Sequence, residues 1–379
     1  MSIIEDTVAY EAWLRSQCKV IEDDLLTKHR RMRKSPFALL RASYYRWAQR
    51  IEEICPELAE APVALCVGDI HLENFGTWRD ADGRWVWGVN DFDEAARMPY
   101  AFDLVRLTTS IELAPDMAID SRDAADAILQ GYRDGLENPR PALLDEHEIW
   151  IRRYVKCSDD CRRAFWEEID GLAAADAIPA AVRKLLTASL PEQVETAAFF
   201  RRFAGGGSRG RPRYVVVATW RGGRIVREAK ALVPSAWTWA KNRTENRTKS
   251  GTQPKPAPPH PHRFVALSTG TYRAPDPFLH VHRTNDGDYV VRRLSADSRK
   301  IDLGKEAGAD LKLELLRGMG TDLASIHAAD RRAGAEIAAD LGKRGSGWLR
   351  RAARAAREAT ERDHDVWRRK APGSIPTAR

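Results

Sequence analysis

The chain has 379 residues, of which 43% are hydrophobic and 30% are charged, and its formal net charge is +7. This length suffices for a large core or two lobes, and no stretch approaches the twenty uninterrupted apolar residues of a transmembrane helix. Five scattered cysteines and an N-terminus without a basic or apolar leader predict a cytoplasmic protein with reduced thiols and no secretory signal. The positive charge is spread over several segments, which argues against nucleic acid as the partner.

Apolar periodicity predicts an α+β chain with helices at both ends. Residues 3–58 are expected to form helices that break at Ser35-Pro36, because the residue before proline disfavours helical backbone. Further helices are predicted at 103–111, 120–136, within 144–190, at 311–328 and at 348–369. Strands are predicted at 64–67, at 84–89, up to 204, and at 214–219, 224–230 and 289–294, with a tight turn at Gly222-Gly223. The polar, proline-rich stretch 241–263 predicts a flexible insertion.

Polar side chains follow the first two predicted strands. Asp69 and Asn74 lie in the loop after the first strand, and Asp91 follows the second. In phosphoryl transfer an Asp orients or deprotonates the nucleophile, and carboxylate and amide oxygens bind Mg2+. The alternative is that these short side chains form Asx turns that only brace the loops. We expect Asp69 to be catalytic, and Asn74 and Asp91 to bind metal.

His71, Asp93 and Asp103 are supporting candidates in the same stretch. His71 fits either the site or a loop-bracing role. Asp103 follows a proline and starts a helix, so capping or bracing is a better interpretation for it than catalysis. His327 lies in the middle of an apolar helix and is interpreted as a core histidine.

A glycine-rich sequence, GGGSRG at 205–210, lies between two predicted strands. In dinucleotide-binding proteins such a motif opens a helix, whereas a strand–glycine loop–strand unit covers the nucleotide phosphates in protein kinases. Gly205, Gly207, Ser208 and Gly210 are therefore predicted to bind a nucleotide through backbone N–H groups. Lys230, at the end of the strand after the next turn, is predicted to pair with the phosphates. The alternatives are an ordinary hairpin loop and a solvent-facing lysine.

The segments GDIHLENFG and NDFDEAARMPYAFDLVRL closely resemble the bacterial family called domain of unknown function 2252, and weaker similarity covers most of the chain. That family resembles the protein-kinase-like superfamily, in particular the aminoglycoside and choline phosphotransferases. The resemblance implies a two-lobed fold that uses ATP and Mg2+. It implies a catalytic role for Asp69, metal binding by Asn74 and Asp91, a structural role for Asp103 and nucleotide binding by Lys230.

The order of these parts differs from that of ordinary kinases, in which the glycine loop and the lysine precede the catalytic loop. We therefore expect a circularly permuted kinase-like fold. Residues 1–195 are expected to form a helical C-lobe core with the catalytic and metal loops. Residues 196–300 are expected to form a β-rich, nucleotide-binding N-lobe, and 301–379 are expected to form helices that return to the C-lobe.

The leading functional hypothesis is an ATP- and Mg2+-dependent phosphotransferase that acts on a small molecule. A non-catalytic, nucleotide-binding pseudokinase-like module is an alternative, because Val67 stands where the phosphotransferases have His. A metal-dependent phosphoesterase would use Asp69-x-His71 and His280-x-His282, but the G-N-H block of that class is absent. The sequence leaves the acceptor, the oligomeric state and the choice between phosphoryl and nucleotidyl transfer open.

Overall fold

The structure is a computed structural model that describes residues 1–147, 149–175, 177–248, 260–298, 300 and 308–370. It confirms the α+β class: helices dominate both ends of the chain, and the paired strands are antiparallel. None of the described helices combines the length and the apolar character that a membrane-spanning helix requires.

The described helices lie before the first strand, between the strands and after the last strand. They are α1 (Ile3–Gln17), α2 (Glu22–Met32), α3 (Pro36–Ala42), α4 (Tyr44–Ile54), α5 (Ala101–Leu113), α6 (Ser121–Glu137), α7 (Ile149–Val155), α8 (Asp159–Asp170), α9 (Ala180–Ala188), α10 (Ala236–Thr248), α11 (His260–Ser268), α12 (Ala309–His327), α13 (Arg331–Lys343) and α14 (Trp348–Lys370).

The described strands form three sheets. They are β1 (Val63–Cys66), β2 (Phe75–Arg79), β3 (Trp85–Val89), β4 (Ala96–Pro99), β5 (Ala142–Leu143), β6 (Thr196–Arg201), β7 (Arg213–Trp220), β8 (Gly223–Leu232), β9 (His280–Thr284) and β10 (Gly287–Leu294). β1 pairs with β4, β3 lies between β2 and β5, and a five-stranded sheet has the order β6-β7-β8-β10-β9.

Local sequence explains the helix boundaries near the N-terminus. Ser35 has extended backbone, and its hydroxyl accepts a hydrogen bond from the N–H of Ala38 (3.1 Å). Pro36 occupies the first turn of α3, where a missing N–H costs nothing because that group has no helical acceptor. The predicted break at Ser35-Pro36 is therefore confirmed, as the start of a capped helix.

The largest core cluster lies among α5, α6, α12 and α14. Nearly every residue of α5 is buried, and α14 packs along it. Helices α6 and α12 approach closely through glycines, since a Cβ at Gly131 would lie only 1.9 Å from the carbonyl oxygen of Arg317. The helices at the end of the chain thus pack on those that follow the acidic loops.

The five-stranded sheet has two different faces, because side chains alternate along each strand. On one face Tyr214 and Val216 pack with Val182 and Leu186 of α9. The other face carries charged side chains that are buried or half-buried, namely Arg213, Glu228, Lys230 and Arg292.

Several details differ from the sequence predictions. The tight turn between β7 and β8 is formed by Arg221 and Gly222, both with positive φ, while Gly223 already pairs with Trp220. Strands β2, β4, β5 and β9 and helix α13 were not predicted, and the helical stretch 144–190 is broken between 171 and 179. These strands are short and are stabilised by pairing and burial, so their sequences show little of the alternation that would predict a strand.

The prediction of an irregular insertion at 241–263 is wrong at both ends. Residues 241–248 belong to α10, because buried Trp237 and Trp239 at its start pack against the N-terminal helices and the helix continues from there. Residues 260–263 open α11, where Pro261 is tolerated in the first turn. Residues 249–259 lie outside the described residues.

Candidate functional site

A cleft of about 390 Å³ lies where the acidic loops, the glycine loop (residues 205–210) and helices α1, α2 and α4 meet. Asp69, Asn74 and Asp91 line it from one side. Gly205, Gly207 and Ser208 line it from the other. Residues of the first and second halves of the chain therefore share one cleft, as the sequence predicted.

The loop that carries Asp69 is fixed by the carboxylate of Asp103. Its two oxygens accept hydrogen bonds from the N–H groups of Val67 (2.7 Å) and Gly68 (3.0 Å). Asp103 is fully buried and also lies 3.2 Å from Nε2 of His327. His327 in turn bonds to the hydroxyl of Tyr132 (2.7 Å). Asp103 and His327 thus brace the loop from below and do not reach the cleft.

Asp69 lies at the floor of the cleft, with its side chain 19% exposed. Arg106 of α5, which is fully buried, donates to Oδ1 of Asp69 from Nη2 (2.5 Å) and Nε (3.1 Å). Burial raises the pKa of Asp69 to about 7, although Arg106 acts in the opposite direction. The carboxylate therefore has the pKa of a general base that works near neutral pH.

Asn74 joins the two acidic loops. Its Nδ2 donates to the carbonyl oxygens of Asp69 (3.1 Å) and Asp91 (3.2 Å). These bonds orient the amide and leave its Oδ1 available as a ligand. The hairpin of β2 and β3 brings Asn74 and Asp91 together, because Asn74 precedes β2 and Asp91 follows β3 at the same end.

The end of β3 is held by a buried ion pair from distant parts of the chain. Asp322 of α12 accepts a hydrogen bond from the N–H of Val89 (2.7 Å) and pairs with Arg273 (2.7 Å). Arg273 also donates to the carbonyl oxygen of Val89 (2.6 Å). This network sets the direction in which the chain leaves the strand toward Asp91.

Lys230 of β8 lies against two carboxylates of the second acidic loop. Its Nζ is 3.1 Å from Asp91 and 2.5 Å from Asp93, and its side chain is 5% exposed. Burial would raise the pKa of Asp91, but the charge of Lys230 outweighs it and holds that pKa well below its usual range. Burial and the neighbouring charge of Asp91 raise the pKa of Asp93. Asp91 is therefore the more acidic member of the pair.

The glycine loop rests directly on the loop that carries Asp69. A Cβ at Gly207 would lie 3.1 Å from Oδ2 of Asp69 and 2.8 Å from the carbonyl oxygen of Arg41. Gly205 and Gly210 have positive φ, which favours glycine at both positions. The carbonyl oxygen of Gly210 accepts a hydrogen bond from the N–H of Ile21 (2.9 Å), so the second end of the loop is tied to the start of α2.

A model of one protein family, described as an uncharacterized protein conserved in bacteria (DUF2252), matches residues 20–147 and 167–370. The chain belongs to this family. The resemblance to DUF2252 that the two acidic motifs indicate is thus confirmed. No curated protein and no solved structure gave a significant match.

A cluster around Glu228, which is fully buried on β8, was not predicted from the sequence of this DUF2252 chain. Its oxygens pair with Arg202 (2.8 Å), Arg213 (3.3 Å) and Arg292 (2.8 Å). These arginines hold the pKa of Glu228 far below its usual range against the effect of burial. Arg213 also donates to the hydroxyl of Ser208 (2.5 Å), so the cluster anchors the glycine loop.

Arg211 joins the glycine loop to the second acidic loop and was also missed. It pairs with Asp93 (3.2 Å) and Glu94 (2.7 Å), and its side chain is almost completely buried. The second oxygen of Glu94 accepts a hydrogen bond from the N–H of Ala236 (2.6 Å) at the start of α10. The alternation of arginine with apolar residues in RGRPRYVVV is the one local signal that could have indicated such pairs.

The remaining histidines do not assemble a metal site with Asp69 among the described residues. Nδ1 of His71 accepts a hydrogen bond from the N–H of Glu73 (3.2 Å), so it braces the loop. His280 and His282 lie on β9, the edge strand of the five-stranded sheet. Within the described ranges, the group of three potential ligands is a different one, Cys66, Asp103 and His327, and it lies in the core.

The donor set on the cleft side fits a hard divalent cation. Asp91 is ionised and half-exposed, and Asn74 lines the same cleft with its Nδ2 held by the carbonyl oxygen of Asp91. Among the described residues, Oδ1 of Asp93 is buried and has no hydrogen-bond partner. A bound cation or a hydrogen-bond donor would satisfy this oxygen. Oxygen atoms of this kind suit Mg2+. Asn74 and Asp91 are the residues that would hold it.

Proposed function

We propose that this DUF2252 protein is an ATP- and Mg2+-dependent phosphotransferase that acts on a small molecule in the cytoplasm. The observation that carries the proposal is the shared cleft. In it the glycine loop of the second half lies over Asp69. Lys230 does not line the cleft itself but pairs with Asp91, which does. Such a combination of glycine loop, lysine, catalytic Asp, Asn and metal-binding Asp is the set that kinases use.

The proposal includes a kinase-like, circularly permuted fold. It is supported by the order of the parts within the five-stranded sheet. The glycine loop joins β6 to β7, and Lys230 lies on β8, the third strand of the same antiparallel meander. In protein kinases the glycine loop likewise precedes a lysine on the third strand. The two lobes would then be the helical parts 1–195 and 301–379, and the sheet part 196–300.

Each residue of the proposed site has its own role. ATP supplies the phosphoryl group and Mg2+ neutralises its charge. Asp91 and Oδ1 of Asn74 would hold the metal, while Lys230 and the glycine loop would hold the phosphates. Asp69 orients the acceptor hydroxyl and takes its proton on Oδ2, since Oδ1 is held by Arg106.

One observation favours the second candidate, a non-catalytic nucleotide-binding module. The ion pair with Arg106 occupies Oδ1 of Asp69 and opposes the rise in pKa that burial causes. Val67 also replaces the histidine of the phosphotransferases. Binding and transfer must therefore be measured separately.

The test uses the full chain and three variants. Mg·ATP at about one hundred times its dissociation constant stabilises a binding protein by about 2.7 kcal/mol. For 379 residues the unfolding entropy is roughly 0.8 kcal/mol per degree, so the expected rise in Tm is about 3 °C. Asp91→Asn should lose this rise, and Asp69→Asn should keep it but lose transfer of the γ-phosphoryl group to acceptors in a cell extract.

Asp80→Asn is the matched control. Asp80 is buried at the opposite end of the hairpin of β2 and β3, where it accepts hydrogen bonds from the N–H groups of Asp82 and Arg84. This variant should keep both the rise in Tm and the transfer activity. Wild-type protein that binds Mg·ATP without transfer would favour the non-catalytic module, and protein that does neither would overturn the proposal.

A further inference from the structure

Among the described residues that line the cleft, one cation has no carboxylate partner. Lys28 of α2 is 2% exposed and lines the cleft beside Asp69. Each other Lys or Arg that lines it forms an ion pair. Among the described residues Lys28 forms neither an ion pair nor a hydrogen bond, so three N–H donors of a buried ammonium have no protein acceptor.

The tyrosines around Lys28 do not replace an acceptor. The rings of Tyr10 and Tyr45 stack on each other at 4.4 Å. Nζ of Lys28 lies 5.7 Å from the first ring centroid and 5.3 Å from the second. Ring faces attract a cation but accept no strong hydrogen bond. The hydroxyl of Tyr45 is shared with Thr7, and that of Tyr10 accepts from Arg211.

The nearby carboxylates already have other partners. Glu11 pairs with His29 (2.7 Å). Asp69 pairs with Arg106, and Glu94 pairs with Arg211. Burial lowers the pKa of Lys28 to about 8, while the charges of Glu11, Glu94 and Asp69 act to raise it. At neutral pH Lys28 is therefore mostly charged. Among the described residues no carboxylate contacts this charge.

We propose that Lys28 binds a carboxylate or phosphate group of the acceptor, whose hydroxyl reaches Asp69. This inference rests on the proposed phosphotransferase function and names its substrate class: a small hydroxylated anion. An oxyanion would give the ammonium the hydrogen bonds that the protein does not supply. An unpaired ammonium on a buried side chain lowers the stability of the protein. Such a group is typical of a functional site, where a bound ligand supplies the missing partner.

Three probes separate the possible chemistries in calorimetric titrations of the full chain. Glycerol carries hydroxyls alone, glycerate adds a carboxylate, and glycerol 3-phosphate adds a phosphate. We expect glycerate or glycerol 3-phosphate to bind at millimolar concentration, and glycerol not to bind. The probe that binds identifies the anion. Equal behaviour of all three probes would overturn the proposal.

Two lysine variants test whether Lys28 is the binding residue. Lys28→Met should weaken anion binding roughly tenfold or more and should leave Tm unchanged or higher, because it removes an unpaired buried charge. Lys312 is the control: it is buried, but it donates to the carbonyl oxygens of Asp116 and Met117. Lys312→Met should therefore lower Tm without affecting anion binding. Lys28→Met protein that binds the anions like wild type, or that is destabilised without loss of binding, would refute the proposal.

The rise in Tm with Mg·ATP separates this proposal from the proposed function. Lys28→Met should keep that rise, because the hydrogen-bond and ion-pair partners of Asn74, Asp91 and Lys230 do not include Lys28. If wild type binds anions through Lys28 but shows no rise with Mg·ATP, the anion site stands and the phosphotransferase function fails. If Mg·ATP binds but no anion does, the phosphotransferase function stands and the acceptor class is wrong.

Discussion

Replacing Gly207 by alanine is the most direct test of how closely the glycine loop lies over the catalytic loop. The added Cβ would be 2.8 Å from the carbonyl oxygen of Arg41 and 3.1 Å from Oδ2 of Asp69. A Cβ within 3.0 Å of another heavy atom is essentially never seen, and here one of the two neighbours is backbone. The loop must therefore move away from both, which widens the cleft at Asp69.

The size of the effect follows from the geometry. Gly207 does not have positive φ, so the cost is steric and not conformational. Overpacking by one methyl group in a well-packed region costs about 1–3 kcal/mol. With an unfolding entropy of roughly 0.8 kcal/mol per degree for this length, Tm should fall by about 1–4 °C. The rise in Tm with Mg·ATP should shrink as well, because the backbone N–H groups no longer face the phosphates.

Gly206→Ala is the matched control in the same loop. Its Cβ would meet only the guanidinium of Arg41, at 3.4 Å, which is an ordinary contact with a flexible side chain. Thermal unfolding with and without Mg·ATP should therefore show wild-type behaviour for Gly206→Ala and a loss for Gly207→Ala. Two variants with equal Tm and equal response to Mg·ATP would refute the close approach of the two loops.

Three further predictions concern protonation, the support of β3 and helix packing. Burial raises the pKa of Asp69 from 3.8 to about 7, so the protonated side chain stabilises the folded state. This stabilisation is complete below about pH 4 and is lost as the pH rises through 7. Urea titrations should show Asp69→Asn gaining stability relative to wild type over that range, while transfer activity of wild type falls below about pH 7. Asp322→Ala leaves the Arg273 charge buried and unpaired and should cost about 3–5 kcal/mol in urea unfolding. Gly131→Ala should destabilise the protein, because the backbone of α12 lies too close to an added Cβ. Gly342→Ala in α13 should stabilise it by about 0.5–1 kcal/mol, because an added Cβ there would lie in open space. Equal effects of the two variants would contradict the close packing of α6 on α12.

The residues that the sequence predicted for the site were those with a local signal. Asp69 and Asn74 follow β1, and Asp91 follows β3, so each lies next to a strand that the sequence predicted. The hairpin that brings Asn74 to Asp91 is formed by β3 with β2, and β2 was not predicted. The glycine loop could be recognised because strands flank it on both sides. Helix boundaries near Ser35 were likewise local, since capping depends on neighbouring residues.

The residues that the sequence did not predict act through partners far away in the chain. Arg106 holds Asp69 from a helix 37 positions later, and Asp322 holds β3 across 233 positions. On a helix such residues look like any other charged side chain, because their pattern carries no information about a distant partner. Lys28 was missed for the same reason, because its local sequence does not distinguish it from the other basic residues of the chain.

The same long-range pairs bear on the proposed circular permutation, in which the sheet part follows the acidic loops instead of preceding them as in ordinary kinases. Lys230 and Arg211 of the sheet part pair with Asp91, Asp93 and Glu94 of the helical part. Apart from the half-exposed carboxylate of Asp91, these side chains are less than 10% exposed, and losing one member of such a pair leaves an uncompensated charge. The cleft is therefore assembled by contacts between its parts and does not depend on which part the chain forms first. A circular permutation changes the connections between the parts and leaves those contacts intact.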